Sequence, residues 1–252
     1  PEDHDDGEKE FLGRKGRFNG EDIVDLICEQ ESTARFIARH MYHFFVADEP
    51  PVPSWPYTPP RDPAAIDALT QAYFEHNYDI KSMLRVLFTS EFFKAEDIRY
   101  EKVKSPAEFV AGVLRLTGEF DRPRREIMDR ARQMLYMGQH LHNPPSVEGW
   151  HQGTEWLDTG TLVERVNFAS EQVGDLNKNG VKAMIDSITS SNGTDLSSEE
   201  LVDRCLEQLG EISLSAASRA ILIKFAEQGD RSPGGIAGML RLSASTDEFQ
   251  RA

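Results

Sequence analysis

Ser105-Pro106-Ala107-Glu108 compresses a helix start into four residues. The serine hydroxyl is placed to accept from the N–H three residues on, and proline suits a first turn whose amides need no partner. The glutamate can close back on the serine's own N–H. Similar signals return along the chain: Asp79 before KSMLRVLFTSEFF, Ser197 with Glu200, Ser215, and Ser232 with Pro233. Between these caps, apolar residues recur at three- and four-residue spacing. A chain punctuated in this way is confined to helices packed on helices, and the predicted fold class is all-α, a multi-helix bundle of about ten helices.

FLGRKGRFNG, residues 11–20, reads as a short hairpin or extended segment around a Gly-Arg-Lys-Gly centre. Asp22, Ile23, Leu26 and Ile27 then give a short amphipathic helix. STARFIARHMYHFF gives a second, from Ser32 to near Val46, with Phe36, Ile37, Met41, Phe44 and Phe45 expected along one side. Residues 48–62 are too rich in proline for helix and are expected to be extended. Further helices are predicted from Pro63 to about His76, after Asp79 through Phe93, from Ser105 to about Thr117, and from near Pro123 to a C-cap at Gly138. Another covers LVERVNFASEQV and stops at Gly174, with three or four more in 175–252. The segment 138–160, GQHLHNPPSVEGWHQGTEWLDTG, has no helical period and is expected to be one long Trp/Pro/Gly loop. The organisation read here is one helical domain over 1–252, with an extended lead-in at 1–20, a main core at 21–174 and C-terminal helices at 175–252. LRVLFTSEFFKAE at 84–96 echoes LRLSASTDEFQRA at 240–252, as two similar helix ends would.

Charge narrows the function. Lys and Arg total 28 against 43 Asp and Glu, a net charge of −15. Such a field repels phosphate backbones and anionic head groups, so neither nucleic acid nor a membrane is the expected partner. Apolar runs are broken by charge well short of a bilayer's width. The chain opens on PEDHDDGEKE, without a leader, and is expected to be part of a longer polypeptide. Cys28 and Cys205 lie in apolar helical stripes, where a buried free thiol is the expected state and a disulfide the alternative.

Taken in order, HDDGEKEFLGRKGRFNGEDIVDLI, TARFIARHMYHFFV, KSPAEFVAGVLR, GQHLHNPPSVEGW with Trp156, LVERVNFA and the closing STDEFQ resemble the bacterial family catalogued as domain of unknown function 1800. The resemblance spans nearly the whole chain. Thr246-Asp247 stands where the family shows Ser-Pro before Glu-Phe, and Ser146 where Asn is frequent; both are capping or turn positions. The resemblance implies a bacterial, exported protein with a helical region N-terminal to this segment, and a sulfatase-like protein as partner. It implies no activity.

The candidate binding residues gather in two places. Gln139, Pro144, Pro145, Gly149, Trp150 and Trp156 lie in the long loop, followed by Arg165 and Asn167 on the next helix. Two tryptophans with amide and guanidinium groups can form a glycan-binding face or an apolar pocket; the alternative is that they plug the bundle. Arg35 and Arg39, four apart, can converge on an anion or pair with nearby carboxylates, and His40 sits beside them. No metal and no cofactor is expected. His140, His142 and His151, with Glu148 and Glu155, lack a second ligand set, and His40 with His43 is a bare pair. DLNKNGVKAMID at 175–186 places Asp175, Asn177, Asn179, Gly180 and Asp186 at calcium-loop positions, but Lys182 and the short Asp186 fit poorly and a plain turn is the stronger reading. No nucleophile elbow, phosphate loop or dinucleotide fingerprint is present. Three functions stay open: a binding or scaffold module of an exported protein, a hydrolase with a pocket between loop 138–160 and helix 32–46, and the structural half of a larger fold.

Overall fold

A computed structural model describes residues 5–120, 122, 124–190, 195–210 and 212–251. The chain divides into two compact units, 1–101 and 102–252, each around its own core. Among the described residues there are twelve α-helices and one two-stranded hairpin, so the all-α bundle read from the sequence is what the chain forms.

In the first unit, β1 (Lys9–Phe11) pairs antiparallel with β2 (Arg14–Gly16). The turn is Leu12-Gly13, with φ of 48° and 78°, the left-handed pair that a two-residue hairpin turn requires. Gly-Arg-Lys-Gly is therefore not the centre of the hairpin, since Arg14–Gly16 is its second strand. Asn19 and Asp22 form a capping box at the start of α1 (Gly20–Cys28). Then come α2 (Glu31–Phe45), α3 (Pro63–Glu75), α4 (Ile80–Thr89) and α5 (Glu91–Lys94). The predicted helix through Phe93 breaks at Ser90, whose extended ψ ends α4 and whose hydroxyl caps α5 by accepting from Phe93 N–H.

The core face of α2 also differs from expectation. Ala34, Ala38, Met41 and Tyr42 are buried with Ala65, Ile66, Leu69 and Tyr73 of α3, while Phe36 and Phe44 face solvent. Alanines let two helix backbones approach closely, and phenylalanines at the same positions would hold them apart.

The second unit holds α6 (Pro106–Leu116), α7 (Ile127–Tyr136), α8 (Thr159–Val173), α9 (Asn179–Thr189), α10 (Ser198–Gln208), α11 (Ala216–Gln228) and α12 (Pro233–Ala244). The capping boxes at Ser105–Glu108 and Ser197–Glu200 form as the sequence dictates. Pro123, the predicted start of the next helix, lies outside the described residues; α7 begins at Ile127. Packing of α8 with α6 and α12 builds the core around Phe109, Val113, Phe168, Ala169, Ile236 and Leu240.

The backbone excludes the calcium alternative. Asn179, Gly180 and Asp186 lie on α9, whereas a calcium loop needs its glycine in a sharp turn between ligands. Gly180 has a different use. Its N–H donates to the Thr117 carbonyl at the end of α6, at 3.2 Å. A β-carbon there would stand 2.3 Å from Thr117 C and 2.5 Å from Leu116 O, both main-chain atoms. Alanine gains about 1 kcal/mol in helix propensity, but the clash forces the two helix ends apart. Gly180→Ala is therefore expected to lose a net of about 1–2 kcal/mol, lowering Tm by roughly 2–8 °C. Gly112→Ala, at an exposed α6 site with nothing within 4 Å, is expected to stabilise. Equal melting shifts for the two variants would remove the close-approach argument.

Candidate functional site

Four segments far apart in sequence meet at the start of α6. Gln139, just past the C-cap glycine of α7, is buried, and its Oε1 accepts from the Ala107 N–H at 2.8 Å. Arg165, from the middle of α8, has 0% of its surface exposed. Its Nε donates to Gln250 Oε1 and its Nη2 to the Lys104 carbonyl, both at 2.9 Å. The guanidinium lies over the Phe109 ring, 4.4 Å from its centre, and Nη1 is buried without a hydrogen-bond partner. Lys104 closes the knot: its ammonium donates to the Phe249 carbonyl at 2.9 Å and sits over the Phe249 ring. Two cations thus share one site with no ion pair to either among the described residues, Glu108 being the carboxylate whose field reaches both. Burial first, and then Arg165, push the Lys104 ammonium down to about 8; burial pushes Arg165 down to about 10.

The remaining loop residues separate. Trp156 is only 4% exposed and packs near Gly138, so it plugs the bundle and cannot supply half of an open glycan face. Trp150 is half-buried, its indole N–H donating to the His140 carbonyl at 3.0 Å. Asn167 is exposed; two residues from Arg165 on a helix, it points elsewhere. Thus Gln139 and Arg165 are brought to one knot, while Trp150 and Asn167 are not part of it. His140 meets Asn143, and His151 meets Glu155 at 3.1 Å. No group of three or more metal-ligating side chains occurs among the described residues.

In the first unit the two arginines of α2 find carboxylates. Arg35 pairs with Asp67 at 2.7 Å on the surface. Arg39 is buried: its Nε donates to Glu49 Oε2 at 3.0 Å, with a second contact from Nη2, and its Nη1 donates to the Trp55 and Thr58 carbonyls, each at 3.0 Å. Glu49 in turn accepts from the Arg61 N–H at 2.7 Å. The pair therefore clamps the proline-rich connection onto α2. Outside it stand Phe36, His40 and Trp55, with His40 and Trp55 ring centres 4.5 Å apart. Partial burial there, and then His43, hold the His40 imidazole below its usual range. Arg35 and Arg39 do not converge on a shared anion.

The model of a protein family described as "Protein of unknown function (DUF1800)" matches residues 1–251. The chain belongs to the DUF1800 family. No curated protein and no solved structure matches it. In this DUF1800 chain the motifs KSPAEF, GQH, LVERVNF and DEFQ supply Lys104, Gln139, Arg165 and Gln250, all members of one buried knot. Sequence reading singled out Gln139 and Arg165 but passed over Lys104 and Gln250. Their one sequence signal is a basic residue before a helix cap and a glutamine after an aromatic.

The DUF1800 chain also carries a helix with an exposed apolar side, α7, whose other side packs on the core through Met134. No residue of α7 is buried, and Ile127, Met128, Leu135 and Tyr136 are exposed. Met128 and Leu135, seven apart, share one line along it. Val147 in the following loop is fully exposed. Arg122, Arg124 and Arg125, just before α7, are exposed as well.

The lysine in the knot makes stability depend on pH. An unfolded lysine titrates near 10.4, so between about pH 8 and about pH 10 the unfolded DUF1800 chain holds a proton that the folded one has released. More protons bound when unfolded means that stability rises with pH across this window. Cys205, which burial pushes up to about 12, acts in the opposite direction above its unfolded value. The readout is therefore the difference between wild type and Lys104→Met in urea unfolding. Wild type is expected to gain on the variant as pH rises through the window, and a constant difference would show that Lys104 titrates normally.

Proposed function

We propose that this chain is a binding module of an exported bacterial protein, and that it docks a protein partner through α7 and the loop that follows. The observation that carries this reading is a ten-residue helix that packs one side on the core through Met134 and leaves Ile127, Met128, Leu135 and Tyr136 exposed. Isolated exposed apolar residues need no explanation, but a helix presenting four of them, continued by Val147 in the next loop, is what interaction surfaces have. Three exposed arginines border the helix in a chain whose net charge is −15, which favours a partner whose contact surface is itself acidic. The partner class implied by the family resemblance is a sulfatase-like protein.

The test is calorimetric titration of the chain with a purified sulfatase-like protein encoded beside it. Met128→Glu together with Tyr136→Glu places charge on the proposed contact, and each truncated anchor at such a centre is worth about 1–2 kcal/mol or more. A loss of affinity of at least tenfold, with unchanged circular dichroism, is the expected result. Tight binding that both substitutions leave intact would move the contact off α7, and absence of binding by wild type would remove this partner.

A further inference from the structure

The segment that resembles a calcium loop lines a cleft of about 520 Å³. Its walls are the end of α8 with Glu171, Gln172 and Gly174, the turn Asp175–Lys178, Glu119 after α6, Arg130 of α7 and Arg241 of α12. Part of its charge is already committed. Lys178 donates to Glu119 Oε2 at 2.6 Å and also contacts Gln172, and Arg130 Nη2 donates to Glu119 Oε1 at 3.2 Å. Asp175 Oδ1 accepts from the Asn177 N–H and side-chain amide. With the Lys178 ammonium fixed in this position, a metal cation is repelled.

Two side chains are left over, because the unpartnered Arg130 Nε has no solvent-accessible surface and cannot be reached from the cleft. The Arg241 guanidinium lies against the backbone at Gly174, where a β-carbon would fall 1.7 Å from its Nε. It makes no hydrogen bond or ion pair among the described residues, and neither does the exposed Glu171. The cleft therefore offers one uncommitted cationic side chain, Arg241, and one uncommitted carboxylate, Glu171. Its full set is balanced, Arg130, Lys178 and Arg241 against Glu119, Glu171 and Asp175, three to three. A simple anion entering it meets Glu171 and Asp175, and a simple cation meets Lys178 and Arg241. A molecule bearing both charges on neighbouring atoms answers both. Leu176, partly exposed in the same wall, adds an apolar contact.

We propose that this cleft binds a small zwitterion, an α-amino acid, with its carboxylate on Arg241 and its ammonium on Glu171. A volume of a few hundred Å³ or more is ample for such a ligand. The guanidinium of Arg241, lying against the backbone at Gly174, can receive the carboxylate in a two-bond fork.

The experiment is calorimetric titration of the full chain with L-leucine and L-alanine, beside 4-methylpentanoate and isopentylamine, which are L-leucine without its amine and without its carboxylate. Saturable binding of L-leucine in the millimolar range or tighter is expected, with each single-charge analogue weaker by about tenfold or more. Arg241→Met and Glu171→Gln are each expected to weaken L-leucine by about tenfold. Glu171 is exposed and without a partner, so its variant stays folded and keeps the test decisive if Arg241→Met unfolds. Equal binding of 4-methylpentanoate and L-leucine would make this a plain anion site and overturn the proposal. Indifference to Glu171→Gln, or no saturable binding of either amino acid, would overturn the proposal as well.

Discussion

Replacing Arg39 with methionine is expected to destabilise residues 1–101 by about 3–5 kcal/mol. The reason lies with what remains. The Glu49 carboxylate has no exposed surface and takes its compensation from Arg39 and from the Arg61 N–H. Methionine fills similar space but leaves that carboxylate charged, dry and held by one amide. The double variant Arg39→Met/Glu49→Gln removes the stranded charge and is expected to recover a large part of the loss, although the Trp55 and Thr58 carbonyls still lack their donor. Arg39→Lys is expected to fall between, because one ammonium cannot serve a carboxylate and two carbonyls in the fixed geometry of a guanidinium. Urea unfolding followed by circular dichroism reads all three. A single-variant loss below about 1 kcal/mol would mean that water reaches Glu49.

Arg165→Met is expected to cost about 2–4 kcal/mol in residues 102–252. Two terms oppose each other here. The substitution orphans Gln250 Oε1 and the Lys104 carbonyl and removes the cation from the face of Phe109. It also relieves the repulsion between buried Arg165 and half-buried Lys104, the first of which has an unused N–H. The first term is larger because Gln250 is fully buried and its Oε1 accepts from no other donor among the described residues. The relief has its own signature: the Lys104 ammonium should titrate at higher pH in the variant, although burial, the larger cause of its depression, persists. A variant as stable as wild type would mean that the repulsion outweighs both hydrogen bonds.

Local chemistry was readable in the sequence, and long-range geometry was not. Ser105 with Glu108, and Ser197 with Glu200, complete their hydrogen bonds within four residues, so the helix starts could be named without knowing the fold. The hairpin was located but its turn was misplaced, because a left-handed leucine at position 12 violates the usual preference for glycine or asparagine. Arg165 was visible as a polar residue in a telling segment, yet its partners lie 61 and 85 residues away, beyond any periodicity. Trp156 and Trp150 look alike as letters and are opposite in place, one in the core and one at the rim. The faces of α2 were misjudged because apolar character alone does not reveal that a neighbouring helix packs against the alanines.

The Arg39–Glu49 clamp reads main chain almost everywhere it touches residues 48–62. Its contacts are the carbonyls of Trp55 and Thr58 and the amide of Arg61, and only the Trp55 ring, 4.7 Å from the guanidinium, is met as a side chain. Carbonyls and amides are the same whatever residue carries them. Evolution is therefore free to rewrite most of this connection as long as the two charged residues and the path of the chain are kept. Among relatives it should be a stretch of drifting letters between fixed anchors, a place where new surface can be tried without risk to the fold beneath.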